Sequence, residues 1–89
     1  MTLYELCIVY KEEWGYSYDP WAIFSTFDKA YDEMRRLAEG LSLHHSVGGK
    51  WGYVIAPAVV DSVKLVPYED MKFYNLMGML SLPPHIAYE

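Results

Sequence analysis

Apolar and polar positions alternate with a period that changes along the chain, and each change marks an element. From Leu3 to Tyr10 the period is two: Tyr4, Leu6, Ile8 and Tyr10 fall on one side and Glu5, Cys7 and Val9 on the other, which predicts a strand. The polar, turn-rich stretch from Lys11 to Pro20 follows, and Trp21-Ala22-Ile23-Phe24 resumes the apolar run, so the pattern predicts an antiparallel hairpin with a long loop. The period then becomes that of a helix. Phe27, Ala30, Tyr31, Met34, Leu37, Ala38 and Leu41 share one face, and Asp28, Lys29, Asp32, Glu33, Arg35, Arg36 and Glu39 occupy the other. Ser25 or Thr26 is placed to cap the first turn, Asp28 meets its positive end, and Gly40 is placed to close the last turn. A helix with one apolar stripe has to lie on an apolar surface, and the flanking β-formers indicate that this surface is a sheet.

Past a connection holding His44, His45 and Ser46, Trp51 to Ala56 reads as a strand that Pro57 interrupts. Val59 to Val66 reads as a separate fourth strand or a sharply bent continuation of the third. Pro67 opens a short helix over Tyr68 to Leu80, with Glu69 and Asp70 in its first turn. Its residues Met71, Phe73, Tyr74, Leu76, Met77, Met79 and Leu80 surround more than half the barrel, so it must dock in the core or meet another chain. The tail from Ser81 to Glu89 is held extended by its prolines. The expected fold is α+β: a small antiparallel sheet of three to four strands covered by one main amphipathic helix, plus a short C-terminal helix. It forms a single domain over 1–89, with a core over about 3–66 and the C-terminal helix and tail over 67–89.

Composition narrows the classes of function. The chain is 53% hydrophobic and 17% aromatic, with nine tyrosines and three tryptophans, which excludes disorder and leaves the rings either to enlarge a small core or to form a recognition surface. A net charge of −5, with Arg35 and Arg36 the single adjacent pair of cations, argues against direct binding of nucleic acid or anionic membrane. It leaves open a basic protein that itself holds nucleic acid. One cysteine, Cys7, forms no internal disulfide, no uncharged apolar run approaches the roughly 18 residues of a spanning helix, and the early charge at Glu5 does not suit a signal peptide. The expectation is a cytoplasmic protein.

No catalytic, metal or nucleotide motif emerges. Cys7 lies within a strand, His44, His45 and His85 lack ligand spacing, and Gly49-Lys50 is followed by Trp51 where a phosphate loop needs Ser or Thr. The carboxylate pairs Glu12-Glu13 and Asp32-Glu33 sit where they read as solvated charge. No catalytic residue, metal ligand or cofactor is therefore expected. The informative stretch is the hairpin loop, where Trp14, Tyr16 and Tyr18 alternate with small residues between Glu12-Glu13 and Asp19; these six are the expected partner-binding residues. Met71, Phe73, Tyr74 and Met77 are the expected contacts to a second copy or a partner.

The order strand, acidic loop, strand ending Ile23-Phe24-Ser25-Thr26, helix beginning Phe27-Asp28-Lys29-Ala30 and later aromatic strand resembles small ββαβ domains of unknown function in bacteria and their phages, over Tyr4 to Leu65. The resemblance implies an antiparallel sheet covered by the helix and carries over no catalytic residue. The leading expectation is a non-enzymatic interaction module, a phage-encoded inhibitor of a host protein or of a defence or nucleic-acid-handling complex. A small-ligand sensor or accessory domain, a structural homo-oligomer such as a homodimer, and an enzyme built on His44 or His45 are the alternatives.

Overall fold

In the computed structural model, which describes residues 2–41, 49–59 and 70–83, the two-residue period at the N-terminus becomes strand β1 (Thr2–Glu12). The chain turns at Glu13-Trp14 and returns as β2 (Gly15–Phe24), with Glu12 opposite Gly15. Gly15 has a φ of 145°, open to glycine and opposed by a side chain, and this keeps the turn short. Helix α1 (Phe27–Leu41) follows, then β3 (Lys50–Val59), β4 (Lys72–Asn75) and β5 (Leu80–Ser81). All five strands join one antiparallel sheet in the order β2-β1-β3-β4-β5.

Register sorts the apolar side chains onto two faces. Leu6 lies opposite Ile55, Ile8 opposite Tyr53, and Tyr53 in turn opposite Tyr74. These residues meet Ala30, Met34 and Ala38 of α1 in one buried cluster, with Tyr4, Phe24, Phe27, Tyr31 and Leu37 at its border. Alanines one turn either side of Met34 let the helix approach closely, so Met34 and Tyr53 are wholly buried. The alternate positions put Cys7 opposite Val54 and Val54 opposite Phe73, and with Val9 they form a second cluster on the other face. The apolar stripe of α1 and the two-sided reading of β1 are thus both realised. Thr26 is the cap: its hydroxyl oxygen accepts the Lys29 N–H at 3.2 Å.

Four expectations are corrected. The C-terminal helix expected over Tyr68 to Leu80 is not seen in the described part of that segment; from Lys72 to Ser81 the chain is the β4–β5 hairpin, which makes five strands among the described residues where three or four were expected. Phe73 and Tyr74 alternate between the two faces of the sheet, and each is buried there, a gain that a lone helical turn could not match. Asn75 supplies the turn: its backbone carbonyl accepts the Gly78 N–H, its side-chain oxygen accepts the Met77 and Met79 N–H groups at 2.9 and 3.1 Å, and Gly78 takes a φ of 78°. The long loop expected over Lys11 to Pro20 is instead mostly strand, because Tyr16 and Tyr18 find an apolar sheet face to lie on. Pro57 does not interrupt β3, which runs on to Val59. Since β4 pairs with Gly52 to Ile55 alone, the proline sits where β3 has, among the described residues, a strand partner on its β1 side only. The strand read over Val59 to Val66 lies, past Val59, outside the described residues. Gly40 does not close the helix, which passes through it to Leu41 without a positive φ; a helical glycine costs about 1 kcal/mol but does not by itself end a helix.

Candidate interaction surface

The sheet's topology brings some of the exposed apolar side chains to one end, while Trp21 and Ile23, also exposed, stand toward the other end of β2. Both hairpin turns, Glu13-Trp14 and Leu76 to Gly78, emerge at the end where β3 begins, since β1 and β4 run toward that end and β3 leaves it. Trp14 at the first turn is 76% exposed, and Met77 at the second is 70% exposed. Between them lies a groove of about 670 Å³ lined by Lys11 from β1, Gly49, Lys50 and Trp51 at the start of β3, Asn75, Leu76 and Met77 from the second turn, and Ser81.

Both walls are fixed by specific contacts. The Lys11 N–H donates to the Gly49 carbonyl at 2.6 Å, extending the β1–β3 ladder into the turn region. Gly78 is wedged against α1: a Cβ there would stand 3.2 Å from the Ala38 methyl and 3.4 Å from the Met34 sulfur. The Arg35 guanidinium donates to the Gly78 and Met77 carbonyls at 3.4 and 3.5 Å, tying the same turn to the helix. The methionines therefore project from a braced hairpin. Met79, Leu80 and Leu82 continue the exposed apolar strip along β5 and just beyond it.

The six expected partner-binding residues separate into two groups. Glu12, Glu13, Trp14 and Asp19 are exposed, and the Ser17 hydroxyl donates to Glu12 at 3.2 Å. Tyr16 is half-buried with its ring edge-on to Trp51 at 6.3 Å, and Tyr18, 38% exposed, leans on Phe73 at 6.3 Å. These two tyrosines help to cover the second sheet face. Of the other expected contacts, Phe73 and Tyr74 are buried within the chain, Met71 packs against the second cluster, and Met77 stands in solvent. The groove residues Lys11 and Lys50 and the turn residues Asn75 and Gly78 do not stand out in the sequence. Asn75-Leu76-Met77-Gly78, with Asn first and Gly fourth between β-formers, is the signal that could have revealed the turn.

Burial, with the Glu5 carboxylate beside it, pushes the Cys7 thiol up to about 12, so it is neutral and unreactive near neutral pH. Glu33 goes the other way: hydrogen bonds from Arg36 and then from the Trp21 indole hold its carboxyl down at about 2. Those bonds are 2.6 and 2.7 Å from Arg36 and 2.9 Å from Trp21, so Glu33 links the helix surface to the β2 edge rather than standing as free charge. Tyr53 is buried with no hydrogen-bond partner for its hydroxyl among the described residues, and burial raises it to about 12. His44, His45 and His85, and any chemistry assigned to them, lie outside the described residues. Among the described residues no three His, Cys, Asp or Glu side chains converge as a metal site, and no helix is long and apolar enough to cross a membrane.

Comparison with family models, with curated proteins and with solved structures finds no match.

Proposed function

We propose that the chain is a non-enzymatic protein-interaction module that engages its partner through the hairpin-tip end of the sheet. The observation that carries the reading is Trp14. It is the largest side-chain type, it is 76% exposed on a two-residue turn, and it is flanked by Glu12 and Glu13, while Tyr16 and Tyr18 of the same hairpin are packed onto the sheet. A tryptophan held out on a rigid turn has low ordering cost on binding and much area to bury, which is the profile of an interface anchor. The neighbouring carboxylates, with Asp19 on β2, suit a partner whose contact surface is basic.

Edge pairing is the weaker route to a partner. β2 carries Pro20 and an irregularity opposite Leu6-Cys7, and β5 is two residues long, both of which blunt strand addition. The proposal extends to a finer reading that small size, acidity and the aromatic hairpin motivate: a phage-encoded intracellular inhibitor of a host protein or of a defence or nucleic-acid-handling complex. The test is affinity capture with the native chain and with Trp14→Ala. A partner recovered by the native chain should lose about 2 kcal/mol or more of affinity, roughly thirtyfold, with the melting temperature unchanged. Undiminished capture by Trp14→Ala would overturn the proposal.

A further inference from the structure

We propose that the β5 edge of the sheet is a contact between two copies of this chain related by a two-fold axis, with Leu80 and Leu82 at its centre. β5 is the edge opposite β2 in the strand order, so a dimer made there leaves the Trp14 turn open to a partner of its own.

The reach of the helix is the first ground. α1 packs over β1, β2 and β3, and Tyr31 on its flank meets Tyr74 of β4 with ring centres 5.8 Å apart. Leu80, paired with Tyr74, shares the helix side of the sheet and lies one strand further out. Beyond α1 no described element covers that side: Leu80 is 70% exposed, and Leu82, just past the strand, is 59% exposed. The strip is also formed before association, because Arg35 and Gly78 hold the turn that leads into it against α1, which lowers the ordering cost of binding.

Area sets the strength. Met77, Met79, Leu80 and Leu82, all exposed within six residues, make a patch within the roughly 300–600 Å² that is the largest an ordinary monomer shows. Two such patches pressed together, with the partly buried Leu76 and Pro83 at their rim, bury about 1,200 Å², the lower limit of a specific interface. The dimer is therefore weak and depends on concentration. β5 offers two residues of backbone, so side chains carry the contact and strand addition is not required.

Charge names the occupant. Phe73 to Pro84 is the longest stretch of the chain without Asp, Glu, Lys, Arg or His. Two copies that each carry −5 repel, and they repel least where both present uncharged surface. A two-fold contact must also be self-complementary, and a strip of Leu and Met meets that condition without burying an unpaired charge. The other exposed apolar side chains do not. Trp14 is flanked by Glu12 and Glu13, Ile23 lies opposite Glu5, and Trp21 donates its indole N–H to Glu33 at 2.9 Å.

The test is sedimentation velocity of the full chain from roughly 1 to 500 μM, the range in which a weak dimer forms. The native chain should pass from monomer to dimer and stop there. Leu80→Lys and Leu82→Lys should each move the midpoint to at least about tenfold higher concentration, with the melting temperature at low concentration unchanged because both side chains are exposed in the single chain. Trp14→Ala should dimerise as the native chain does, which separates this contact from the partner surface. Added salt should tighten the dimer by screening the charge on each copy. In a mixture of 13C-labelled and unlabelled chain, Overhauser contacts between copies should include the Leu80 and Leu82 methyl groups. A chain monomeric throughout, growth beyond the dimer, weakening by salt, or a dimer undiminished in the double variant Leu80→Lys, Leu82→Lys would each overturn the proposal.

Discussion

Gly52 is the residue on which the contact between β3 and β4 turns. Opposite Asn75 in the register, it brings the two backbones so close that a Cβ would collide with the Tyr74 carbonyl oxygen and come within 3.1 Å of the Asn75 Cα. The obstruction is backbone, which cannot step aside as a side-chain tip can. Gly52→Ala is therefore expected to cost about 2–3 kcal/mol, the upper part of the overpacking range, read as a fall in the urea midpoint with little change in slope. Tyr53, the next residue, presents the opposite case. Its hydroxyl is buried without a partner among the described residues, so the tyrosine contributes its ring and bears an uncompensated desolvation cost. Tyr53→Phe should raise stability by about 1 kcal/mol, measured in the same denaturant titration. A loss of stability would mean that the hydroxyl is satisfied by ordered water.

At the scale of elements, the β4–β5 hairpin is the instructive one. Its closure depends on Asn75 accepting two N–H groups with one side-chain oxygen and on Gly78 occupying a left-handed conformation against Met34 and Ala38. Asn75→Ala should cost on the order of 1–2 kcal/mol by leaving those N–H groups to solvent, and Gly78→Ala should cost about as much through backbone strain and crowding. Loss of cross-peaks between β4 and β5 in nuclear Overhauser spectra, with the β1–β3 contacts kept, would locate the damage. This hairpin is also where sequence and structure part. Strand β1 and helix α1 are legible because each repeats its period over two or more turns or pleats against a polar background, and Thr26 stands at the expected cap. In Lys72 to Ser81 the apolar residues Phe73, Tyr74, Leu76, Met77, Met79 and Leu80 come in adjacent pairs and show no two-residue period to read; the crowded circumference the segment would have as a helix is itself the contrary signal. The short first hairpin is hidden for a related reason: Tyr16, Ser17 and Tyr18 alternate as a strand should, but Gly15 and Pro20 at either end suggest a loop. Of the candidate site, Trp14 is visible as an aromatic among acids. The groove is not, since Lys11, Lys50 and Asn75 are brought together by register between segments distant in sequence.

The described residues form a single sheet and one helix, with a buried cluster on each face of the sheet, and a group that resists ionisation sits in both. Cys7 lies in the cluster facing away from α1 and is raised from an ordinary 9.0 to about 12, first by burial and then by Glu5. Tyr53 lies under the helix and is raised from 10.0 to about 12 by burial, with Tyr74 beside it raised in the same sense and for the same cause. In each case the folded chain holds the proton more tightly than the unfolded chain does. The associated stability is complete below the unfolded values near 9 and 10 and is lost as pH rises through the folded value near 12. Acid has the reverse effect through Glu33, whose pairing contributes above its ordinary 4.5 and is lost as pH falls through about 2; that ion pair is at the surface, where solvent screening leaves it little weight. Alkali should consequently destabilise far more than acid of equal displacement from neutrality, by on the order of a few kcal/mol between pH 9 and pH 12, since a tenfold difference in proton affinity between folded and unfolded chain is worth about 1.4 kcal/mol. Because one sheet carries both clusters, the loss should show as a single cooperative transition moving to lower temperature, not as one face melting first. Calorimetric scans from pH 7 to pH 11.5 test this. The double variant Cys7→Ala, Tyr53→Phe should show a clearly shallower fall across the same interval, and a fall as steep as that of the native chain would remove these two groups as its cause.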